Sequence, residues 1–252
     1  REGRTTRSGP PFSLPRGACG AYEDGVAPAS APWLFDFDFI SPYAFLAWTR
    51  IRAIAAAHRR RVVPVPVLFA GILDAHGQLG PAEIPAKRRY LFRDVARKAH
   101  RLALPAVSPP PAHPFNPLVA LRVASLDLPG ETRERIIDAL FLAAWTRRQA
   151  IDTADAVSAI LSGLGLEGAD LVAQAESPET KARLREATDA AIQRGVFGVP
   201  TVEADGELFW GTDSLDDLEL FARGEGPDLS GLDLVELPVA ATRKGAARTR
   251  RA

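Results

Sequence analysis

Between Phe35 and Ala55 the apolar residues change their period, and the change falls at one dipeptide. Phe35, Phe37 and Phe39 alternate with Asp36 and Asp38 at the period-2 spacing of a strand, and Ala44, Phe45, Ala47, Trp48, Ile51, Ile54 and Ala55 follow at helical spacing. Ser41-Pro42 sits at the switch. Serine is a preferred N-cap because its hydroxyl accepts from a backbone N–H that the first turn leaves unpaired. Proline suits the first helical position because it has no N–H to leave unsatisfied. The same point of the chain favours negative charge, so a thiolate bound there would be stabilised by the helix dipole and by the Ser41 O–H.

The rest of the chain has the same mixed character. Val62-Val63-Pro64-Val65-Pro66-Val67-Leu68-Phe69 has the β-branched content of a second strand, with prolines that suggest an edge or a bulge. A long helical stretch then runs from Pro85 to about Arg194, broken by prolines and glycines into five or six helices. Asp152-Thr153-Ala154-Asp155 and Ser177-Pro178-Glu179 carry the cap-then-acid signature of helix starts. Near Gly195 a helix ends at glycine, and Val199-Pro200-Thr201-Val202 enters a strand. Asp205-Gly206 reads as a hairpin turn into Leu208-Phe209-Trp210, and Gly211-Thr212-Asp213-Ser214 caps a last short helix from Leu215 to about Ala222.

The order β-α-β, helices, β-β-α is that of a thioredoxin-like α/β fold with a large all-helical insertion. The expected organisation is a disordered extension over 1–31 and a thioredoxin-like domain in two parts, 32–84 and 186–225. A helical insertion domain over 85–185 separates them, and a disordered basic tail occupies 226–252.

Counting excludes several functions. Cys19 is the only cysteine, so no intrachain disulfide, dithiol redox pair or cysteine-based zinc site can form. Lys plus Arg and Asp plus Glu balance at 31 each, which gives no support to a nucleic-acid or membrane-surface partner. His58, His76, His100 and His113 are scattered without metal-ligand spacing, so no metal is expected. No apolar run reaches membrane-spanning length and no signal-type apolar region follows the N-terminal arginines, so the chain reads as a cytoplasmic protein. There is neither a G-x-S-x-G elbow nor a histidine placed to activate Ser41 as in a serine hydrolase.

Four segments in this order, Asp38-x-x-Ser41-Pro42-Tyr43, Pro85-Ala86-Lys87-Arg88, Gly195-Val196-Phe197-Gly198-Val199-Pro200-Thr201 and Phe209-Trp210-Gly211-Thr212-Asp213-Ser214-Leu215, resemble the 2-hydroxychromene-2-carboxylate isomerase family. That family belongs to the DsbA-like branch of the thioredoxin superfamily, beside the kappa-class glutathione transferases. The resemblance covers roughly residues 33–223 and implies a DsbA-like fold. It also implies a glutathione-dependent interconversion of 2-hydroxychromene-2-carboxylate and trans-o-hydroxybenzylidenepyruvate in aromatic catabolism. Ser41 stands where the thiol-redox relatives carry their reactive cysteine.

Carried over residue by residue, the resemblance makes Ser41 the holder of the glutathione sulfur, Val199 the backbone partner of the tripeptide and Pro200 a cis-proline. Thr212 and Asp213 would grip the γ-glutamyl end, with helix capping as their alternative role. Relatives carry an arginine at the next position, where this chain has Ser214. Lys87 matches a family lysine and would contact an anion. Tyr90 and Trp210, with Phe69, Trp145 and Phe197, are candidate liners of a pocket for a small aromatic substrate, against the reading that such aromatics are core. The expected partners are glutathione and that substrate, with a homodimer left open. The alternatives are a kappa-like transferase or dehalogenase acting on another electrophile, and a non-catalytic thioredoxin-fold binding module. Glutathione-affinity capture separates the module from the enzymes.

Overall fold

The computed structural model describes residues 31–104 and 106–229; the N-terminal extension with Cys19, and the tail from residue 230, lie outside the described residues. The elements are β1 (Trp33–Phe37), α1 (Pro42–Ala57), β2 (Val62–Pro66) and α2 (Phe69–Ala75), then a 3-10 turn at Pro81–Glu83. The helices α3 (Pro85–Arg101), α4 (Leu118–Ala124), α5 (Gly130–Trp145), α6 (Ala154–Ser162), α7 (Gly168–Ala175) and α8 (Pro178–Gln193) follow. The chain closes on β3 (Thr201–Ala204), β4 (Glu207–Trp210) and α9 (Leu215–Ala222).

The four strands form one mixed sheet in the order β2-β1-β3-β4. β1 runs parallel to β2, with Trp33 opposite Val62 and Phe37 opposite Pro66. It runs antiparallel to β3, with Leu34 opposite Glu203. Pro64 and Pro66 are tolerated because β2 is an edge strand, where a missing N–H costs no ladder bond on the open side. The β3-β4 hairpin turns at Asp205-Gly206, both with positive φ (51° and 94°), the pairing that a two-residue turn matching the strand twist demands.

Alternation of Phe and Asp ordinarily marks a strand with one wet face. β1 has none. Phe35, Phe37 and Phe39 pack with Phe45 and Trp48 of α1 and Phe141 of α5 in the larger core. On the opposite face Val67, Ile72, Ala191, Val196 and Val199 make a second, smaller core beneath α2 and α8. Asp36 and Asp38 are therefore fully buried as well. Asp36 takes an ion pair from Arg194 at 2.7 Å. Arg194 Nε also lies 2.6 Å from Glu203, outside hydrogen-bond angles.

The expected helix starts are present: Thr153 caps α6 and Ser177 caps α8 through their hydroxyls. The expected second strand is too long. Phe69 is the first residue of α2, because the chain leaves the sheet after Pro66 and the amides at the turn find side-chain acceptors, Leu68 N–H on Thr188 and Phe69 N–H on Asp38. The 185/186 division falls within α8.

Candidate active site

The end of β1 is tied down from several directions. Ser41 N–H donates to Asp38 O, Ile40 N–H to the Asp38 carboxylate, and the Trp145 indole N–H to Phe39 O at 2.9 Å. His113 Nε2 lies 2.9 Å from Ile40 O and acts as the donor to it. This leaves Ser41 as the N-cap of α1 in a loop with few loose backbone groups. Its Oγ accepts from Ala44 N–H at 3.2 Å and donates to Val199 O at 3.3 Å. The second bond is long for an O–H donor, so the hydroxyl hydrogen is weakly committed. Tyr43 N–H, in the first turn, has no acceptor among the described residues.

Val199-Pro200 is a cis peptide, as expected, and His113-Pro114 is another. Val199 N–H has no backbone acceptor among the described residues. Ser41 and Val199 open onto a cleft of 740 Å³ between the β1-α1 turn, α2, the 3-10 turn and the 113–118 loop. Its wall is largely apolar, and its charged residues are Asp38 and Glu83. Phe197 and Trp210 form one lip, ring centroids 5.0 Å apart, and are 39% and 54% exposed. An exposed aromatic pair at the mouth of an apolar cleft marks a surface for an apolar ligand.

Burial pushes the Asp38 carboxyl up to about 7, against the two backbone N–H groups of Ile40 and Phe69 that favour its charge. Burial likewise pushes Asp36 up to about 6, although Arg194 opposes it. His113 is held below the usual imidazole range by burial, opposed by its bond to Ile40 O, with Arg88 lowering it further; it faces the cleft neutral.

The structure brings some of the sequence-derived candidates together and separates others. Ser41, Val199, Phe69, Phe197 and Trp210 all line the cleft. Thr212 and Asp213 do not line it, and neither side chain caps α9, which begins after Ser214. They attach to the cleft through Tyr43. Thr212 Oγ1 donates to Tyr43 O at 2.9 Å, and the Tyr43 hydroxyl donates to Asp94 at 2.9 Å. Lys98 links Asp94 (3.5 Å) to Asp213 (2.7 Å). Burial, with the Asp94 acceptor, raises the Tyr43 hydroxyl far above its ordinary range. Partial burial works against the charge of Lys98, but Asp213 and Asp94 outweigh it and raise its pKa.

Trp145 is core, fully buried with its indole spent on Phe39 O, so it does not line the cleft. Lys87 and Tyr90 lie on the outer face of α3, Tyr90 62% exposed, and neither lines it. Sequence reasoning assigned no role to Asp38, Tyr43 or His113. The first two stand inside a quoted motif, whereas His113 has no local signal, because a loop 73 residues away brings it to Ile40.

A strand-to-helix turn with its cap residue beside a cis-proline defines a thioredoxin-like site, here without a cysteine. The model of the DSBA-like thioredoxin domain matches residues 34–221, and the chain belongs to that family. A 2-hydroxychromene-2-carboxylate isomerase of Pseudomonas putida is 28% identical over 187 residues, covering 73% of this chain and 91% of that protein. The kappa 1 glutathione S-transferase of Rattus norvegicus is 25% identical, covering 71% and 85%. A solved structure of a 2-hydroxychromene-2-carboxylate isomerase superposes with a TM-score of 0.70 at 26% identity, over 77% of this chain and 95% of that one. Within its family the protein is an enzyme of isomerase type with a DsbA-like fold.

Proposed function

We propose that the protein is a glutathione-dependent isomerase acting on 2-hydroxychromene-2-carboxylate and trans-o-hydroxybenzylidenepyruvate in the cytoplasmic breakdown of aromatic compounds. The observation that carries this reading is the position of Ser41, at the N-terminus of α1 on an apolar cleft beside Val199 and under the Phe197-Trp210 lip. The division into a thioredoxin-like body, 32–84 with 186–225, carrying a helical insertion over 85–185 belongs to the same proposal.

The residues present suit glutathione. The weakly held Ser41 hydroxyl and the Tyr43 N–H are two donors at the positive end of a 16-residue helix, a fitting seat for a thiolate. The Val199 backbone offers an edge to an extended peptide. Asp213, 77% exposed in its side chain, would take the γ-glutamyl amine, and Lys98 beside it supplies the positive charge that Ser214 lacks. Bound glutathione supplies a nucleophile that adds to the conjugated carbon and later leaves, so that the intervening bond can rotate. Ser41 moves its hydroxyl hydrogen from Val199 O toward the sulfur and lowers the cost of its negative charge. The Asp38 carboxyl holds the Ile40 N–H and so fixes the turn that aims Ser41. Phe197 and Trp210 receive the aromatic ring and exclude water from it.

The test is an absorbance assay of chromene isomerisation with and without glutathione. Turnover is expected to require the thiol and to fall roughly tenfold or more in Ser41→Ala, the loss typical of one preorganised donor. Thiol-independent turnover, or unchanged turnover in a folded variant, overturns the reading. One observation favours a kappa-like transferase or dehalogenase as the second reading: no Lys or Arg lines the cleft among the described residues, which suits an uncharged electrophile. Faster conjugation of an activated aryl chloride than isomerisation of the chromene would select it.

A further inference from the structure

A second recess of 280 Å³ lies at the opposite end of the sheet, where β2 begins, and is lined by Arg52, Arg60, Arg61 and Arg133 with Glu134 and Gly130. Trp33 at the start of β1 pairs with Val62 there, and Ser41 lies beyond the far end of that strand. At about 3.3 Å per residue the two sites are separated by roughly 25 Å. We propose that this recess is a binding site for a phosphate group, either the free ion or the head of a small phosphomonoester.

Four guanidiniums face Glu134 in the lining and Asp138 and Asp205 as ion-pair partners of Arg52 and Arg60, so the excess positive charge of the recess is carried by Arg61 and Arg133. Two of the four are held in place by other groups. Arg52 bridges Glu134 (3.2 Å) and Asp138 (2.7 Å) and lies 4.5 Å above the Trp48 ring. Arg60 makes two bonds to Asp205 and one to Ala31 O. The guanidiniums of the other two, Arg61 and Arg133, have no ion-pair or hydrogen-bond partner among the described residues. Arg133 Nε is also buried without an acceptor, an arrangement that a structure ordinarily avoids. Burial and the nearby Arg183 both work against the charge on Arg133, while Asp127 and Glu134 favour it, so a bound dianion would supply what the site lacks.

The backbone adds to the side chains. Arg133 lies in the first turn of α5, a 16-residue helix whose N-cap, Pro129, makes no side-chain cap bond. The opening amides of α5 are therefore available, and Gly130 leaves open space where a Cβ would stand, with nothing within 4 Å. Glu131 in the same turn is exposed and does not line the recess. Arginine forks fit phosphate oxygens in pairs, and a volume just below that of ordinary small-molecule pockets admits a phosphate with a few carbons but not a nucleotide.

The experiment is calorimetric titration of the full chain with inorganic phosphate and with phenyl phosphate, at fixed ionic strength with chloride as the control anion. Saturable one-to-one binding at about a millimolar or tighter is expected for at least one of the two, and the tighter ligand identifies ion or ester. Arg133→Gln should weaken it roughly tenfold, and Arg61→Ala, an exposed side chain just before β2, several-fold. Ser41→Ala should leave it unchanged. No saturable binding of either ligand, affinity unchanged from the unsubstituted protein in both arginine variants, or loss of binding in Ser41→Ala overturns the proposal.

Discussion

Replacing Asp38 with asparagine tests the electrostatics of the site most directly. Asp38 is fully buried, has no cationic partner among the described residues, and accepts only from Ile40 N–H at 3.0 Å and Phe69 N–H at 2.9 Å. Its native pKa of about 7 stands above the ordinary value of 3.8, so the folded protein binds this proton more tightly than the unfolded chain does. The resulting stability is fully present below about pH 4 and is lost as the pH rises through about 7. At about 1.4 kcal/mol per unit, the loss between about pH 5 and about pH 8 comes to about 2.5 kcal/mol. Asp38→Asn has no such titration. It keeps one acceptor oxygen and leaves one of the two buried N–H groups facing an amide donor, at a cost of about 1 to 3 kcal/mol. The variant should therefore be the less stable protein near pH 5, and the gap should close by about 2.5 kcal/mol toward pH 8. Urea unfolding followed by tryptophan fluorescence at several pH values measures this directly. Asp36 also titrates in this range but is present in both proteins, so it cancels in the comparison. A gap that stays constant within about 0.5 kcal/mol across that range would refute the reasoning.

Gly198→Ala would place a Cβ 2.5 Å from Trp210 Nε1 and 3.3 Å from its Cε2, and the half-exposed indole should swing off the lip. Stability should drop by no more than about 1 to 2 kcal/mol while KM for an aromatic substrate rises several-fold; an unchanged KM would remove Trp210 from the binding surface. Asp213→Asn should weaken glutathione binding about tenfold, as loss of a charged hydrogen-bond partner does, with the melting temperature nearly unchanged because the side chain is mostly exposed. Equal affinity on a glutathione column would dismiss it as a contact. Trp145→Phe strands Phe39 O in the core and should cost about 1 to 3 kcal/mol, read by chemical denaturation.

Local chemistry was enough to locate the turn at the heart of the site. Period, cap and proline put the strand-to-helix junction at Ser41-Pro42, the helix starts at Ser177 and Thr153, and the hairpin at Asp205-Gly206, because each depends on residues within a few positions of one another. The four segments that resemble a known family extended that reach to Val199 and Trp210, both on the cleft. What a residue meets across the fold was another matter. Asp36 in β1 and Asp38 just beyond it carry no sign in the sequence that α2 and α8 will cover their face and drive their carboxyls toward neutrality. Trp145 and Tyr90 are both aromatics on helices with suitable spacing, yet one is spent on Phe39 O in the core and the other stands in solvent. Periodicity shows which face of a helix is apolar, whereas only packing decides whether that face meets a core or a cleft. Thr212 bonds Tyr43 across 169 residues, Asp213 meets Lys98 across 115, Tyr43 bonds Asp94 across 51, and His113 reaches Ile40 across 73. Contacts at such separations are products of chain topology, and the tertiary structure alone determines them.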